Sequence, residues 1–279
     1  MRIGFVGLGN MGSQIARDLV SAGHRITLFD LDRAALEAFA DSGARLAASV
    51  AEVAAASEIA GICVVDDEQV REVVSGAGGL LESGLEPGSI VMVHSTVHPS
   101  TIEELAEAAS AAEIDLIDVC VSAGPLGKSR LDRVAIVGAG ADTYQRCTDV
   151  INEIGTPVLV GGPGAASRVK LLNNLLTTAT VGTAEAALRI GERAGIDRRV
   201  LQRVFLSGSA ASAPLSMMVR RPDSSSHRYR MLSKDFDLAV SSLDLTGADL
   251  DGLAVIVAMA QLGLEAVDSD IDPQRRDEK

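Results

Sequence analysis

Lysine is scarce in this chain: of 25 basic residues, only Lys128, Lys170, Lys234 and Lys279 are lysines. Arginine is the default cation, so a lysine kept away from the terminus suggests a place where arginine would not serve. Lysine gives up its proton under mild perturbation and arginine effectively does not. Asn174 follows Lys170 by four residues, a spacing that puts both side chains on one face of a helix. Reduction of a carbonyl builds negative charge on its oxygen. A protonated amine within hydrogen-bond reach donates the proton and takes it back in the reverse direction. Lys170 is therefore the candidate acid/base and Asn174 its partner, the amide holding either the lysine or the substrate oxygen. Asn173 points elsewhere and fixes the helix to its surroundings. The competing account of Lys170 is a surface lysine on an amphipathic helix.

A second constellation, Gly7-Leu8-Gly9-Asn10-Met11-Gly12, follows the apolar run Ile3–Val6 and opens a helical pattern over Met11–Ala22. In such a turn Gly7 makes the tight bend, Gly9 lets the backbone approach a pyrophosphate, and Gly12 lets helix and strand pack closely. The helix N-terminus then offers N–H groups and partial positive charge to the anion. A second strand ends at Phe29-Asp30. A carboxylate there accepts hydrogen bonds from ribose hydroxyls and repels a 2′-phosphate, with Arg25 and Arg33 near enough in sequence to offset part of that repulsion. The pattern predicts a dinucleotide cofactor, NAD rather than NADP. The competing account of Asp30 is a cap for the helical segment that begins near Asp32.

These residues need elements to position them. Apolar runs at Ile3–Val6, Ile26–Phe29, Ile59–Val65, Ile90–Val93, Leu116–Val121, Val134–Val137 and Pro157–Val160 alternate with helical stretches such as Arg33–Ala40 and Thr101–Ala111. Strands alternating with helices predict an α/β fold, a doubly wound, mostly parallel Rossmann-type sheet with helices on both faces. At Gly161-Gly162-Pro163-Gly164 the character changes, and a turn cluster of this kind marks a boundary. Beyond it the pattern is helical, beginning with about 30 residues from Ala165 to Ala194. Helical patterns continue at Arg198–Leu206, Leu215–Val219, Phe236–Leu245 and Leu250–Leu264. The expected domains are 1–162, dinucleotide-binding, and 163–279, all-helical, opened by a long interdomain helix and ending in a frayed tail at Ser269–Lys279.

Composition narrows the function. The 279 residues carry a net charge of −13, which argues against nucleic-acid and anionic-membrane partners. No apolar stretch reaches the roughly 18–20 residues of a spanning helix. The N-terminal apolar run, broken by glycines and Asn10, does not read as a signal peptide. Cys63, Cys120 and Cys147 are scattered, as in a reducing cytoplasm, and the histidines are too dispersed for a metal site.

Four further segments join the glycine turn. His94-Ser95-Thr96-Val97-His98-Pro99 follows a strand at the carboxyl end, where open α/β sheets bind ligands. Asp118-Val119-Cys120-Val121-Ser122-Ala123-Gly124 ends a strand with small residues that leave room and backbone donors for a small anion. The stretch from Gly164 through Ser167, Lys170 and Asn174 opens the long helix. Lys234-Asp235-Phe236-Asp237-Leu238-Ala239 lies in the helical half.

In this order the motifs resemble the β-hydroxyacid dehydrogenases, which include 3-hydroxyisobutyrate dehydrogenase and tartronate semialdehyde reductase, over essentially the whole chain. The chain is likewise similar to 6-phosphogluconate dehydrogenase. The resemblance implies that Gly7, Leu8, Gly9, Asn10, Met11, Gly12, Asp30, Val64, Val65, Thr96 and Lys234 line the cofactor. It implies that Ser122, Ala123 and Gly124 hold a substrate carboxylate, and that Lys170 and Asn174 are catalytic. Hydride transfer between NAD and a small 3-hydroxy acid is the implied reaction. Other accounts of single residues remain: a helix cap made by Ser95-Thr96, a solvated Lys234-Asp235 pair, a second substrate cation at Lys128, and structural roles for His94 and His98.

Four positions depart from the family pattern. Ala123 replaces a glycine, narrowing the pocket or changing backbone freedom; Val119-Cys120 stands where Ala-Pro is usual; and His94 replaces a common acidic residue. These leave the reaction type intact and put the usual substrates in doubt. Two rivals follow: an imine reductase on the same scaffold, against which Lys170 argues, and a non-catalytic nucleotide-binding module, against which the Lys-Asn pair argues. Rich apolar helices in the C-terminal half predict a homodimer or homotetramer through it.

Overall fold

The computed structural model describes residues 1–123, 130–220, 225–242 and 255–262, without the side chains of 123, 217–220 and 225–232. The chain divides into two compact units, Met1–Lys170 and Leu171–Lys279. The expected frayed tail at 269–279 lies outside the described residues.

The first unit is built on an eight-stranded sheet. Its strands are β1 (Arg2–Val6), β2 (Arg25–Phe29), β3 (Arg45–Leu46), β4 (Ile59–Ile62), β5 (Ile90–Val93), β6 (Asp115–Ala123), β7 (Arg133–Gly138) and β8 (Thr156–Gly161). Their spatial order is β3-β2-β1-β4-β5-β6-β7-β8. The pairs from β3 through to β6 are parallel, β6 and β7 are antiparallel, and β7 and β8 are parallel again. The chain therefore leaves β1 toward one side of the sheet and returns toward the other. The crevice opened by that reversal lies at the carboxyl ends of β1 and β4.

The apolar runs are nearly continuous because both faces of the sheet are covered. In β5, Ile90 and Met92 join one core with Ile3 and Phe5 of β1, Ile15 and Leu19 of α1 (Asn10–Ser21), and Val150 and Ile151 of α6 (Ala141–Asn152). Val91 and Val93 join the opposite core with Val70 and Val74 of α4 (Asp67–Ser75) and Ile102 and Leu105 of α5 (Pro99–Ser110). Side chains of alternate residues leave a strand on opposite faces, so one tetrapeptide serves both layers.

Several boundaries differ from the sequence expectation. The run Ile59–Val65 ends as strand at Ile62, because the Val64 backbone bonds in both directions to the Ser95 hydroxyl instead of a ladder. The helix expected over Arg33–Ala40 is α2 (Arg33–Glu37), capped by Asp32. The two-residue β3 carries too little pattern to be anticipated. The segment expected over Phe236–Leu245 belongs to α10 (Ser225–Ser242). Helix also covers residues 255–262, within the expected Leu250–Leu264.

In the second unit α7 (Ala165–Arg193), which begins in the first, is followed by α8 (Arg198–Ser207) and α9 (Ala213–Arg220). Leu171, Leu175 and Ala179 of α7 pack with Ala239 of α10 and with Ala260. Farther along, Leu188 packs with Leu201 and Leu215. Arg198 bonds both carboxylate oxygens of Glu185, and Arg189 adds a bond of 2.9 Å. Burial alone would push the Glu185 carboxyl up, but the bonds from Arg198 and Arg189 outweigh it and hold it below 4.5. A depressed carboxylate contributes stability that is present above its ordinary value and is lost as pH falls through the folded value. We expect Glu185→Gln to cost about 1–3 kcal/mol and to flatten the acid limb of a thermal-melt series between pH 6 and pH 3. An unchanged acid limb would remove Glu185 as its source.

Candidate functional site

The glycine turn sits at the crevice, and each glycine has a distinct physical reason. Gly7 has φ +94°, in the region that side chains disfavour, and a Cβ there would strike the Cys63 carbonyl at the end of β4. A Cβ at Gly12 would strike the Gly7 carbonyl oxygen, so helix and turn approach closely only without a side chain. At Gly9 a Cβ would meet nothing within 4 Å. Nothing in the protein demands a glycine at position 9, which fits a residue kept small for a ligand. Gly9 is also the N-cap of α1, with no side-chain cap and no acidic residue in the first turn. The helix end is left as the backbone makes it, with outward N–H groups and positive partial charge. This donor set fits a pyrophosphate.

The rest of the turn divides between packing and display. Leu8 is buried in the core beside β1, and Met11 packs partly against the same cluster. Asn10 is exposed. The Leu8 N–H donates to Asp30 Oδ2 at 2.5 Å, and the Asp32 N–H donates to Asp30 Oδ1 at 2.7 Å. Asp30 is thereby oriented beside the turn. The helix cap considered for it is made by Asp32, which accepts from the Ala34 N–H at 2.9 Å. Arg25 is the first residue of β2 and Asp30 follows its last, about 16 Å apart at roughly 3.3 Å per residue. Arg25 therefore stands at the far end of the strand and does not offset charge at Asp30, a correction that sequence proximity concealed. Arg33 pairs with Glu37 at 2.9 Å.

Val64 and Val65 leave the end of β4. Val64 is half-buried, and Val65 is exposed with its N–H donating to Gln69 Oε1 at 3.1 Å. Thr96 is half-buried beyond the end of β5. The cap proposed for Ser95-Thr96 is made instead by His98, whose ring accepts from the Ser100 N–H. Ser95 latches β4 to β5 through Val64, a role that no spacing rule announces.

Lys170 stands in the second turn of α7, and its Nζ donates to the Val121 carbonyl at 3.0 Å. Alternation places Asp118, Cys120 and Ser122 on one face of β6, and Cys120 packs there against Ala166 of α7. The amine thus lies at the end of β6, next to Ser122, on an edge shared with the glycine turn, Asp30, Val64 and Thr96. Gly124 and Lys128, and the Ala123 side chain, lie outside the described residues.

Asn174, one turn on, has partners that the sequence did not announce. Its Nδ2 donates to Asp235 Oδ2 at 2.7 Å, and its Oδ1 accepts from Asn173 at 3.1 Å. Asp235, absent from the sequence-based site, is buried and lies 3.6 Å from Lys234 Nζ. The signal for it was its place in the Lys234–Ala239 segment, directly after a candidate lysine. The polar cluster of the second unit thus joins Asn173, Asn174, Lys234 and Asp235.

Residues 2–162 match the NAD binding domain of 6-phosphogluconate dehydrogenase, and residues 164–275 match the family described as NAD-binding of NADP-dependent 3-hydroxyisobutyrate dehydrogenase. An uncharacterised oxidoreductase of Mycobacterium tuberculosis is 31% identical over 287 residues, covering 98% of this chain and 97% of the relative. The 3-hydroxyisobutyrate dehydrogenase of Pseudomonas aeruginosa is 32% identical over 254 residues, covering 86% of this chain and 84% of the relative. The chain belongs to the β-hydroxyacid dehydrogenase family. The solved structure of Psf3 in complex with NADP+ and 2-OPP superposes with a TM-score of 0.79 at 26% identity, covering 96% of this chain and 93% of that one. Membership supports NAD(P)-dependent hydroxyacid dehydrogenase activity. Among the described residues no helix is long and apolar enough to cross a membrane.

His94, a tempting general base at a strand end, has a structural environment. It is buried, stacks on Phe5 with ring centroids 5.6 Å apart, and places Nδ1 2.8 Å from the Val119 carbonyl. Burial pushes its pKa down from 6.5 to about 4. A depressed histidine stays neutral at working pH, and its contribution to stability is lost as pH falls from 6.5 toward 4. The His94 ring proton signals should therefore not shift between pH 8 and pH 5 in an NMR titration. A midpoint near 6.5 would contradict this burial.

Proposed function

We propose that the protein is a dehydrogenase of a small 3-hydroxy acid that uses NAD in preference to NADP, with Lys170 as its acid/base. The observation that carries this reading is the Lys170 amine, 3.0 Å from the Val121 carbonyl and beside Ser122, on the strand edge where the glycine turn opens. A bound nicotinamide supplies or accepts the hydride. The start of α1 takes the pyrophosphate, and Asp30, with lone pairs to spare on both oxygens, takes the ribose hydroxyls. Val64, Val65 and Thr96 line the rest of the cofactor. Ser122 and the backbone of 122–124 hold the substrate carboxylate and set the carbonyl against Lys170. Lys170 gives its proton to the developing alkoxide in reduction and takes it in oxidation. Asn174, anchored by Asp235, keeps its place on the catalytic face of α7.

NAD is preferred because Asp30 presents negative charge where a 2′-phosphate would sit and Arg25 stands at the far end of β2. The domain boundary belongs at 162/163, supported by the glycine-rich turn there and by family matches that end and begin on either side of it. Exposed apolar residues of the helical half, among them Leu172, Leu176, Ile190 and Val204, support a homodimer or homotetramer through that half. The cytoplasm is the proposed compartment.

Lys170→Ala should lower kcat by about 10²–10⁴-fold on the best substrate of a 3-hydroxy acid panel, while NADH binding, read by fluorescence, stays within about twofold. Retained turnover would refute the assigned role. NADH binding by the unaltered protein without turnover on the panel would favour the nucleotide-binding module, and turnover of cyclic imines alone would favour imine reduction. In a separate assay, kcat/KM with NAD should exceed that with NADP, and Asp30→Asn should narrow the ratio by about tenfold, or roughly 1.4 kcal/mol. A clear NADP preference in the unaltered protein would overturn the cofactor assignment.

A further inference from the structure

Asp118 is a buried carboxylate that the proposed mechanism does not use. It lies where β6 changes partners: it is the last residue in register with β5, opposite Val93, and the first in register with β7, opposite Gly138. Its side chain is wholly buried. Both oxygens accept from the beginning of α7, Oδ1 from the Gly164 N–H at 2.9 Å and Oδ2 from the Ser167 N–H at 2.7 Å. Burial pushes the Asp118 carboxyl up, and the bonds from Ser167 and Gly164 oppose that rise. A buried carboxylate is costly unless it is fully hydrogen-bonded, and a helix N-terminus is a place where negative charge is favoured. The neighbouring strand makes room for it, since a Cβ at Gly138 would strike Asp118 Oδ1.

The position of this anchor matters more than its strength. Ser167 and Lys170 are three residues apart on α7, hence on one face, and Asp118 and Val121 are three apart on β6. Two of the contacts between these elements, Asp118 to Ser167 and Val121 to Lys170, form consecutive rungs. If the first rung slips, the second moves with it. An apolar residue in place of Asp118 could fill the space, but it could not fix the helix along its axis, because apolar contact has no direction while two converging N–H bonds do.

We infer that Asp118 is a positioning residue for the proton-transferring amine: by holding the first turn of α7 in register with β6, it sets where Lys170 stands relative to Ser122. This rests on the reading of Lys170 as the acid/base. It makes the bond between Asp118 and the α7 amides part of the catalytic geometry as well as of the fold.

The test uses Asp118→Asn and Gly138→Ala in the full-length protein, alongside Lys170→Ala. Asn keeps one acceptor and turns an amide N–H toward a backbone N–H. The alanine keeps the carboxylate and crowds it, together with the Gly162 carbonyl oxygen and the Ala166 backbone nitrogen at the start of α7. Either variant should lower kcat by about 10- to 100-fold while the NADH dissociation constant stays within about twofold. The limb of the kcat–pH profile that belongs to the proton-transferring group should also move by about half a unit or more, a shift that loss of stability alone does not produce. If either variant is folded by circular dichroism and keeps both kcat and that limb, the inference is wrong. If Lys170→Ala itself retains turnover, the parent reading fails, whatever the other two variants do. Loss of turnover in Lys170→Ala with normal kcat and pH profile in Asp118→Asn overturns the positioning role alone.

Discussion

Gly12 of α1 lies so close to the carbonyl oxygen of Gly7 that no side chain fits between them, and much of the first unit follows from that approach. It seats the start of α1 over the end of β1 with its N–H groups pointed into the crevice. It also brings the turn against Cys63, so that β1 and β4 end together. The strands from β3 to β6 run parallel and direct their carboxyl ends to one edge, so residues distant in sequence line that edge in the order of the strands. Asp30, Gly9, Val64, Thr96 and Ser122 are set out along it in this way.

The polar bonds at that edge are connectors more often than ligands. Asp30 ties the glycine turn to the end of β2, Ser95 ties β4 to β5, and Asp118 ties β6 to α7. Each uses a side-chain oxygen to satisfy backbone N–H groups that have left the ladder, which is the general condition for irregular backbone next to a core. Buried polar groups linked in this way direct the chain more sharply than apolar contact can.

Spacing alone brought out the glycine turn, because its function is local: six residues, a strand before and a helix after. Asp30 was legible for the same reason, as the first residue after the second strand. Lys170 stood out through its rarity and the Asn174 that follows it by four. Where the reading failed, the missing information was long-range. Arg25 is five residues from Asp30 and looks adjacent on paper, yet a strand separates residues at its ends as effectively as any element can. Asn174 shares a helix face with Lys170, as the spacing says, and the structure adds a partner that the spacing could not show, Asp235, 61 residues away. His98, not Ser95 or Thr96, caps α5, since the geometry of the turn decides which side chain faces the helix end.

The residue pattern by itself determined that the chain alternates strands and helices before turning helical, that a glycine turn opens the first helix, and that its motifs are those of a β-hydroxyacid dehydrogenase. These are period-2, period-3.6 and short-turn signals, written within a few residues of one another. The tertiary structure decided which carboxylate orients the turn, that His94 is buried and neutral, and that Asp118 joins a strand to the helix carrying Lys170. Such facts depend on pairs of residues brought together from distant parts of the chain. No local pattern encodes a pairing whose partners are chosen by strand order and by which face of the sheet each element covers.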